Sequence, residues 1–245
     1  MMSACEALSR LPAGPAMPSI EGAKSSAEET AAPPSPPAVL TGDIAVATRL
    51  MRRCIEVSKI AAEQGELPFA AIVARGDQIV VETTNRVRID CDATRHAEAV
   101  AISAAQKKLG RTSLEGLTLY TNVEPCAFCS YAIRETRIST VYFALSSPLM
   151  GGFSRWNILD DAALSTRMPD IFAPPPRIVP FFLAVEADAA LRRAAPLIWT
   201  ATRVRGLFRV EGVTVRRKPH KARPRLNWVF AALRTHLFDR FARGG

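Results

Sequence analysis

Long apolar runs are missing from this chain: none reaches the roughly 18–20 residues that a helix needs to span a bilayer. Cysteine is also scarce, with five in 245 residues. A small and odd number of cysteines argues against a secreted, disulfide-bonded scaffold and indicates a reducing cytoplasm. The N-terminal segment has no charged-then-apolar signal pattern, and four glutamates within its first 29 residues argue against an organelle transit peptide.

Residues 1–41 contain little that a core could bury. They are rich in Ala, Pro, Ser and Glu and end in the stretch Pro33-Pro34-Ser35-Pro36-Pro37. Because such a composition does not offset the entropy cost of ordering the chain, we expect a disordered leader here. Hydrophobic residues make up 48% of the whole chain, which is enough for a packed domain over residues 42–198.

Most of the chain carries no excess of positive charge. The net charge is +9, yet residues 192–245 hold fourteen Lys or Arg against two acids, a net +12, which leaves residues 1–191 at −3. We therefore expect a basic C-terminal extension over 199–245. It could be solvated, could dock an amphipathic helix on the body or on a partner, or could contact RNA or an anionic membrane. The apolar side of this helix would comprise Leu226, Val229, Phe230, Leu233, Leu237, Phe238 and Phe241.

The spacing of apolar residues from Asp43 onward predicts a regular succession of helices and strands. The predicted order is helix 43–61, strands 67–74 and 78–83, helix 96–109, strand 117–122, a helix opening at Pro125, strand 139–144 and a last helix at 184–194. This order is typical of an α/β domain built in layers. The prolines at 174–176 and 180 predict an irregular crossing before the last helix.

Two short strings carry the side chains suited to chemistry: His96-Ala97-Glu98 and Pro125-Cys126-Ala127-Phe128-Cys129. An imidazole and two thiolates are natural zinc ligands, and three protein ligands leave a fourth tetrahedral position open to water, as in catalytic sites. Cys126 and Cys129 are three residues apart, so they share one face of a first helical turn. The positive end of that helix favours thiolate over thiol.

Glu98 follows His96 by two residues, so at a helix mouth it can lie near the metal without binding it. Zinc lowers the pKa of a bound water to about 7, which makes hydroxide available at neutral pH. A carboxylate beside that water can take its proton and deliver it elsewhere. These are the parts needed for hydrolytic attack on an amidine-like carbon with loss of ammonia.

The pattern His-x-Glu followed by Pro-Cys-x-x-Cys is the signature of zinc deaminases. Through it the sequence resembles the cytidine/deoxycytidylate deaminase superfamily, in particular the branch of tRNA adenosine deaminases, guanine deaminases and cytosine deaminases. The resemblance covers residues 43–153 and includes the strings Pro68–Ala71, Asp92–Glu98, Leu119–Thr121 and Thr136–Phe143. It implies a three-layer α/β/α cytidine deaminase-like fold with a central mixed sheet, Zn²⁺ as cofactor, and a homodimer.

The same resemblance implies roles for individual residues. They are the zinc ligands His96, Cys126 and Cys129, the proton shuttle Glu98, and the substrate contacts Asn85, Phe69, Ala97 (through its backbone amide) and Trp156. Three of the substrate contacts also have plainer explanations: Asn85 as a turn residue, and Phe69 and Trp156 as packing residues.

The strings that mark individual substrates are missing. The tRNA enzymes continue with an Asp and a Lys-Thr-Gly-Ala-Ala-Gly-like string, whereas this chain has Ser146–Phe153, without that Asp or Lys. Guanine deaminases carry a catalytic Asp after a similar Gly-Phe, where this chain has Ser154 and Arg155. The sequence therefore predicts a zinc-dependent hydrolytic deaminase of a small nucleobase or nucleoside, with editing of tRNA adenosine to inosine as the alternative.

Other classes of function stay open at this point. Cys-x-x-Cys at the start of a helix also fits a thioredoxin-like redox pair, although that leaves His96 and Glu98 without a role. A structural zinc site would need a fourth ligand, and the next histidine, His220, is far along the chain. A protein that keeps the fold and binds nucleic acid or a partner without catalysis is the third alternative.

Overall fold

The computed structural model describes residues 41–210, with side chains from Ile44 onward. This part of the chain contains six helices and five strands. In chain order they are α1 (Thr41–Glu63), β1 (Ala70–Arg75), β2 (Gln78–Thr84), α2 (Ala97–Leu109), β3 (Thr118–Val123), α3 (Ala127–Glu135), β4 (Thr140–Leu145), α4 (Ala162–Arg167), β5 (Arg177–Val179), α5 (Ala184–Ala194) and α6 (Pro196–Val204).

The five strands form one mixed sheet in the order β2-β1-β3-β4-β5. β1 pairs antiparallel with β2 and β3, whereas β3, β4 and β5 run parallel. A two-residue turn joins β1 to β2, and its Gly76 takes φ +58°, a left-handed conformation that favours glycine. The parallel strands are joined through helices, because a tight turn cannot return the chain to the same end of the sheet.

Helices cover both faces of this sheet. α1 and α5 pack on one face of β1, β3 and β4. The core between them includes Leu50, Tyr120 and Leu191. α2 and α3 enclose the other, which includes Leu119 and Ile133. The predicted three-layer α/β/α fold with a central mixed sheet is thus confirmed.

The helices and strands that the apolar spacing predicts are present, with ends shifted by a few residues. Three short elements, α4, β5 and α6, were not predicted. β5 lies within the proline-rich stretch for which an irregular crossing was expected, so that expectation was wrong for Arg177–Val179. It is a three-residue strand at the edge of the sheet. Prolines are tolerated beside an edge strand, because its outer side pairs with no other strand.

The chain after α5 continues to pack on the body. Phe208 is 6% exposed, and its ring meets that of Phe69 edge-on with centroids 5.7 Å apart. Arg209 and Ser146 form a β-bridge. The predicted boundary at residue 198 therefore falls inside α6, in a segment that joins the core.

Other sequence-based expectations cannot be compared with this structure. The leader up to Leu40 and the apolar helix expected at 226–241 lie outside the described residues. Within 41–210, none of the helices combines the length and apolar character that crossing a bilayer requires.

Candidate active site

The two chemistry-bearing strings lie at the starts of α2 and α3. His96 is the N-cap residue of α2 and Cys126 that of α3, both with extended backbone. Neither side chain caps its own helix. Instead the two side chains meet between the helices, where the positive ends of both helix dipoles favour negatively charged ligands.

His96, Cys126 and Cys129 form a compact set of donor atoms. His96 Nδ1 lies 3.4 Å from Cys126 Sγ and 3.5 Å from Cys129 Sγ. All three donor atoms are within 4.8 Å of one another. Tetrahedral zinc with ordinary Zn–N and Zn–S bonds separates such atoms by roughly 3.5–3.8 Å, so this donor set fits a zinc ion.

The pKa values of the two thiols are shifted in opposite directions. A hydrogen bond from Cys129, with a further contribution from His96, lowers the pKa of Cys126 to about 4. The same contact, together with burial, raises the pKa of Cys129. At neutral pH Cys126 is therefore a thiolate, and a cation bound by all three residues would displace the proton that Cys129 keeps.

Glu98 lies beside this cluster in the first turn of α2. Its Oε2 is 3.6 Å from Cys129 Sγ, and its Oε1 accepts a hydrogen bond of 3.4 Å from Thr121 on β3. Burial, reinforced by the negative charge of Cys126, raises the pKa of Glu98 to about 6. A carboxyl group with a pKa near neutrality both takes up and releases protons readily, as general acid–base catalysis requires.

The segment 146–156 forms the rim next to Cys126. Gly151 pairs with Cys126 in a β-bridge, Gly152 N donates to Pro125 O at 2.8 Å, and Ala127 N donates to Met150 O at 3.3 Å. The segment in which this chain departs from the tRNA and guanine enzymes is therefore directly in contact with the residues around the donor cluster.

A buried carboxylate, Glu124, holds this rim in place. It accepts hydrogen bonds from the backbone of Ser147 and Phe153 and from both the backbone and the hydroxyl of Ser154, at 2.6–3.0 Å. Gly151 and Gly152 have no room for a side chain: a Cβ on Gly151 would overlap the Glu124 carboxylate, and one on Gly152 would overlap the Ser130 side chain.

The structure places the four predicted substrate contacts in different surroundings. Ala97 is buried as the first residue of α2. Asn85 is buried just beyond β2. Phe69 is half-buried and packs against Phe208. Trp156 is 56% exposed, under the guanidinium of Arg155.

An exposed aromatic residue without a role predicted from the sequence lies next to one of the donors. The ring of Phe128 meets that of His96 edge-on with centroids 6.0 Å apart, and its side chain is 49% exposed. Its place between the two cysteines was a usable signal, because the first turn of a helix directs its side chains toward the helix mouth.

Two acidic residues near the site, Glu66 and Glu124, were also given no role by the sequence arguments. Each is buried and accepts several hydrogen bonds from residues distant in sequence. No local pattern distinguishes them, because acids in turns are usually exposed and the partners come together only in the fold.

Comparison with known proteins agrees with this geometry. The family model for the cytidine and deoxycytidylate deaminase zinc-binding region matches residues 45–145. The tRNA-specific adenosine deaminase of Aquifex aeolicus is 38% identical over 119 residues, which cover 48% of this chain and 79% of that protein. The probable cytosine deaminase of Schizosaccharomyces pombe is 41% identical over 98 residues, covering 40% of this chain and 59% of that protein.

A similarity to a solved structure points the same way. A structure from work on tRNA:A34 deaminases superimposes with a TM-score of 0.51 at 26% identity, covering 59% of this chain and 99% of that one. The layered fold, the His-Cys-Cys donor set with its neighbouring carboxylate, and these relatives lead to one conclusion. The chain belongs to the cytidine and deoxycytidylate deaminase family and is a zinc-dependent deaminase of nucleobases or nucleosides.

Proposed function

We propose that His96, Cys126 and Cys129 hold the zinc ion and that Glu98 moves the protons in the hydrolytic deamination of a base. The observation that carries this proposal is the buried Glu98 carboxyl group, with its pKa of about 6, 3.6 Å from one sulfur of the donor set. Zinc bound there supplies a Lewis acid and a water that is nucleophilic at neutral pH.

Glu98 has two tasks in this mechanism. As a carboxylate it accepts the proton released when water attacks the carbon that bears the amine. As a carboxylic acid it gives that proton to the ring nitrogen. Ionised again, it takes the proton of the hydroxyl group now on that carbon and passes it to the amino group, which departs as ammonia. The hydrogen bond from Thr121 keeps one carboxyl oxygen in place, so the other stays directed at the donor cluster. The backbone N–H of Ala97, the first residue of α2, has no carbonyl partner within the helix and suits an oxygen or nitrogen of the substrate.

Replacing Glu98 by Gln tests this assignment, because Gln keeps the shape but cannot shuttle a proton. We expect the rate of ammonia release to fall by at least about 100-fold, as for loss of a general acid–base. Zinc content, measured by atomic absorption, should stay at the wild-type level. Glu186→Gln on α5 is the matched control, since its partner is Arg52 on the far face of the sheet. Wild-type turnover by Glu98→Gln would remove Glu98 from the mechanism.

The first measurement is ammonia release from guanine, adenine, cytosine, their nucleosides, and a tRNA anticodon stem-loop. Turnover of a free base or nucleoside alone would make this a metabolic deaminase. Turnover of the stem-loop alone would make it an RNA editor. No turnover of any member, with stoichiometric zinc bound, would favour the non-catalytic alternative.

The second candidate function is editing of adenosine within tRNA. The similarity to the tRNA enzyme of Aquifex aeolicus supports it, and so do two exposed aromatic residues, Phe128 beside His96 and Trp156 at the rim. Phe128 and Trp156 offer flat surfaces for nucleotides beside the reacting base, and stacking is worth about 1–3 kcal/mol per base. Phe128→Ala and Trp156→Ala should then weaken turnover of the stem-loop about tenfold while leaving free adenosine unaffected. Equal loss on both substrates would contradict an RNA-specific role.

Three broader assignments accompany this function. We propose a homodimer, as the family resemblance implies, and a cytoplasmic location, supported by the unpaired state of the four described cysteines. We also propose a leader over 1–41, a catalytic domain from 42, and a basic extension. Since Phe208 and Arg209 contact the body, the extension is best placed after Arg209.

A further inference from the structure

Glu66, in the turn between α1 and β1, is an acid buried to 1% exposure. Both of its carboxylate oxygens are occupied by N–H donors. Oε1 accepts from Leu67 N at 2.8 Å and from Asn85 Nδ2 at 2.9 Å. Oε2 accepts from Arg88 N at 2.7 Å and from Ile89 N at 3.2 Å. One carboxylate therefore holds both the Asn85 side chain and the loop that leads to His96.

The chemistry of this contact fixes which way the Asn85 amide is turned. An ionised carboxylate can only accept hydrogen bonds, so the end of the amide that faces it must be the NH₂ group. Burial alone would raise the pKa of Glu66, but its four hydrogen bonds outweigh burial and lower it, so the group is ionised at neutral pH. The amide oxygen of Asn85 must then face away from Glu66.

The sheet register shows on which face Asn85 lies. Thr83 on β2, Ala71 on β1 and Thr121 on β3 are paired in one row across the sheet. Thr83 Oγ1 donates to Ala97 O at 2.8 Å and Thr121 Oγ1 donates to Glu98, so this row faces the start of α2. Side chains alternate along a strand, so Asn85, two residues beyond Thr83, lies on the same face. Its backbone N–H continues the ladder by donating to Phe69 O at 2.8 Å.

We propose that Glu66 is a positioning residue that makes Asn85 present a hydrogen-bond acceptor, Oδ1, to the substrate. The substrate must then offer a donor at that point: a ring N–H, an amino group or a sugar hydroxyl. A molecule with only acceptors there meets an unpaired oxygen and is rejected. This inference rests on the proposed function of Asn85 as a substrate contact.

Exchanging the donor and acceptor between Glu66 and Asn85 tests whether Glu66 sets the orientation of the Asn85 amide. In Glu66→Gln, the new NH₂ group must face N–H donors whichever way it turns. In Asn85→Asp, two carboxylates meet at hydrogen-bond distance. In the double variant the introduced glutamine NH₂ group donates to the introduced aspartate, and the glutamine oxygen accepts from Arg88 and Ile89. The substrate still meets an acceptor, and the backbone N–H of Leu67 alone loses its partner. Glu82→Gln is the control, because Glu82 is on β2, the strand that leads to Asn85, but pairs with Arg53 on the opposite face of the sheet.

Each single exchange should lower both Tm and kcat/KM, the latter by at least about tenfold, for one lost charge-assisted hydrogen bond. The double variant should recover at least about tenfold in kcat/KM over Asn85→Asp. Its Tm should exceed that of Asn85→Asp but stay below the wild-type Tm, because Leu67 N–H remains unpaired. Additive losses in the double variant would overturn the proposed polarity. Since Tm is measured without substrate, the Tm values test the orientation of the Asn85 amide even if no substrate is found.

Substrate analogues test what the acceptor selects. A nucleoside that the panel identifies is compared with its 2′-deoxy, 3′-deoxy and ring N-methyl analogues, and a free base with its ring N-methyl analogues, each lacking one donor. For the wild type, one analogue should lose at least about tenfold in kcat/KM, and Asn85→Ala should reduce this discrimination to within about threefold. Discrimination that survives in Asn85→Ala would overturn the role of Asn85. Absence of turnover with every substrate would instead contradict the proposed function itself.

Discussion

At the scale of single residues, the rim of the site depends on how closely the chain packs around Glu124. The carboxylate gathers four hydrogen-bond donors from Ser147, Phe153 and Ser154. Gly151 passes so close to it that only a hydrogen fits on the Cα atom. Because Gly151 also pairs with Cys126, any movement of this segment reaches a proposed zinc ligand.

Gly151→Ala should therefore damage both stability and catalysis. Overpacking at a close contact costs about 1–3 kcal/mol, and here the displaced group is the carboxylate that orders the rim. We expect a lower Tm together with a loss of kcat/KM and of zinc affinity.

Gly116→Ala provides the contrast for this variant. Gly116 has φ +81° and open space around its Cα, so alanine there strains the backbone without touching the site. Its Tm should fall while kcat/KM stays unchanged. A Gly151→Ala protein that behaves in the same way would show that the rim does not position Cys126.

Glu66 gives the stability of the protein a predictable dependence on pH. Its folded-state pKa is lowered, so the carboxylate contributes stability that is present above the usual Glu value of about 4.3 and is lost as the pH falls through the folded value. Glu66→Gln lacks this contribution at every pH. Urea unfolding at pH 7 should show the wild type more stable than Glu66→Gln, and this gap should narrow below about pH 4. A gap that is constant from about pH 7 to about pH 3.5 would contradict the role of its charge.

The residues that could be predicted from the sequence are those fixed by short spacing. His96 and Glu98 come from one string, Cys126 and Cys129 from another, and the fold brings these four side chains together. Glu66 was missed because its partners other than the adjacent Leu67 lie in one segment, residues 85–89, which is 19 to 23 residues away. Trp156 was predicted as a rim contact and stays a proposal.

At the scale of helices and strands, α3 connects the site to the segment that follows β4. Arg134, near its C-terminal end, is fully buried and donates to the carbonyl oxygens of Ile158, Asp161 and Ala173 and to the Ser165 hydroxyl. None of these acceptors is a carboxylate. Neutral oxygens therefore form these hydrogen bonds, while the charges of Asp160 and Asp161 add attraction without direct contact.

Arg134→Met should destabilise the protein strongly, by at least about 3 kcal/mol, since several charge-assisted hydrogen bonds are lost and buried carbonyls are left unpaired. Arg167→Met is the control, because Arg167 is exposed on α4 in the same segment. Chemical unfolding monitored by circular dichroism would measure both. Equal stability of the two variants would show that the 157–173 segment does not depend on Arg134.

The element predicted most clearly is α1, along which the apolar spacing repeats over several turns. α1 repeats buried side chains at Leu50, Met51, Cys54, Val57 and Ala61, and this pattern is visible in the sequence. α4 has six residues and no buried side chain, so it leaves no such pattern. β5 has three residues, too few to show alternation, and its position is set by pairing with β4.

At the scale of the whole molecule, the end of the described chain packs against the residue that precedes β1. Phe208 packs against Phe69, and the carbonyl of Phe69 accepts the backbone N–H of Asn85. The sequence indicated the layered body but placed its end at residue 198, because the contacts of Phe208 are with residues far away in the chain. A boundary set by tertiary packing has no local signal.

Phe208→Ala should cost about 3–5 kcal/mol, as expected for removal of a buried ring. We also expect a higher KM, because Phe69 would lose the support that keeps it next to Asn85. Leu197→Ala is the control, since Leu197 is 85% exposed on α6. Thermal unfolding and steady-state kinetics of the two variants would check this, and an unchanged KM in Phe208→Ala would confine the effect of Phe208 to stability.

The placement of the donor atoms on two helices has a consequence beyond catalysis. His96 and Cys126 are 30 residues apart, and β3 lies between them in the chain. A metal bound to both is a cross-link that closes a loop of that length. By analogy with a disulfide, such a closure restricts the unfolded chain by about 3–4 kcal/mol. The ion that activates water would thus also cross-link the starts of α2 and α3. The Tm of the protein would then rise with the fraction of molecules that hold zinc.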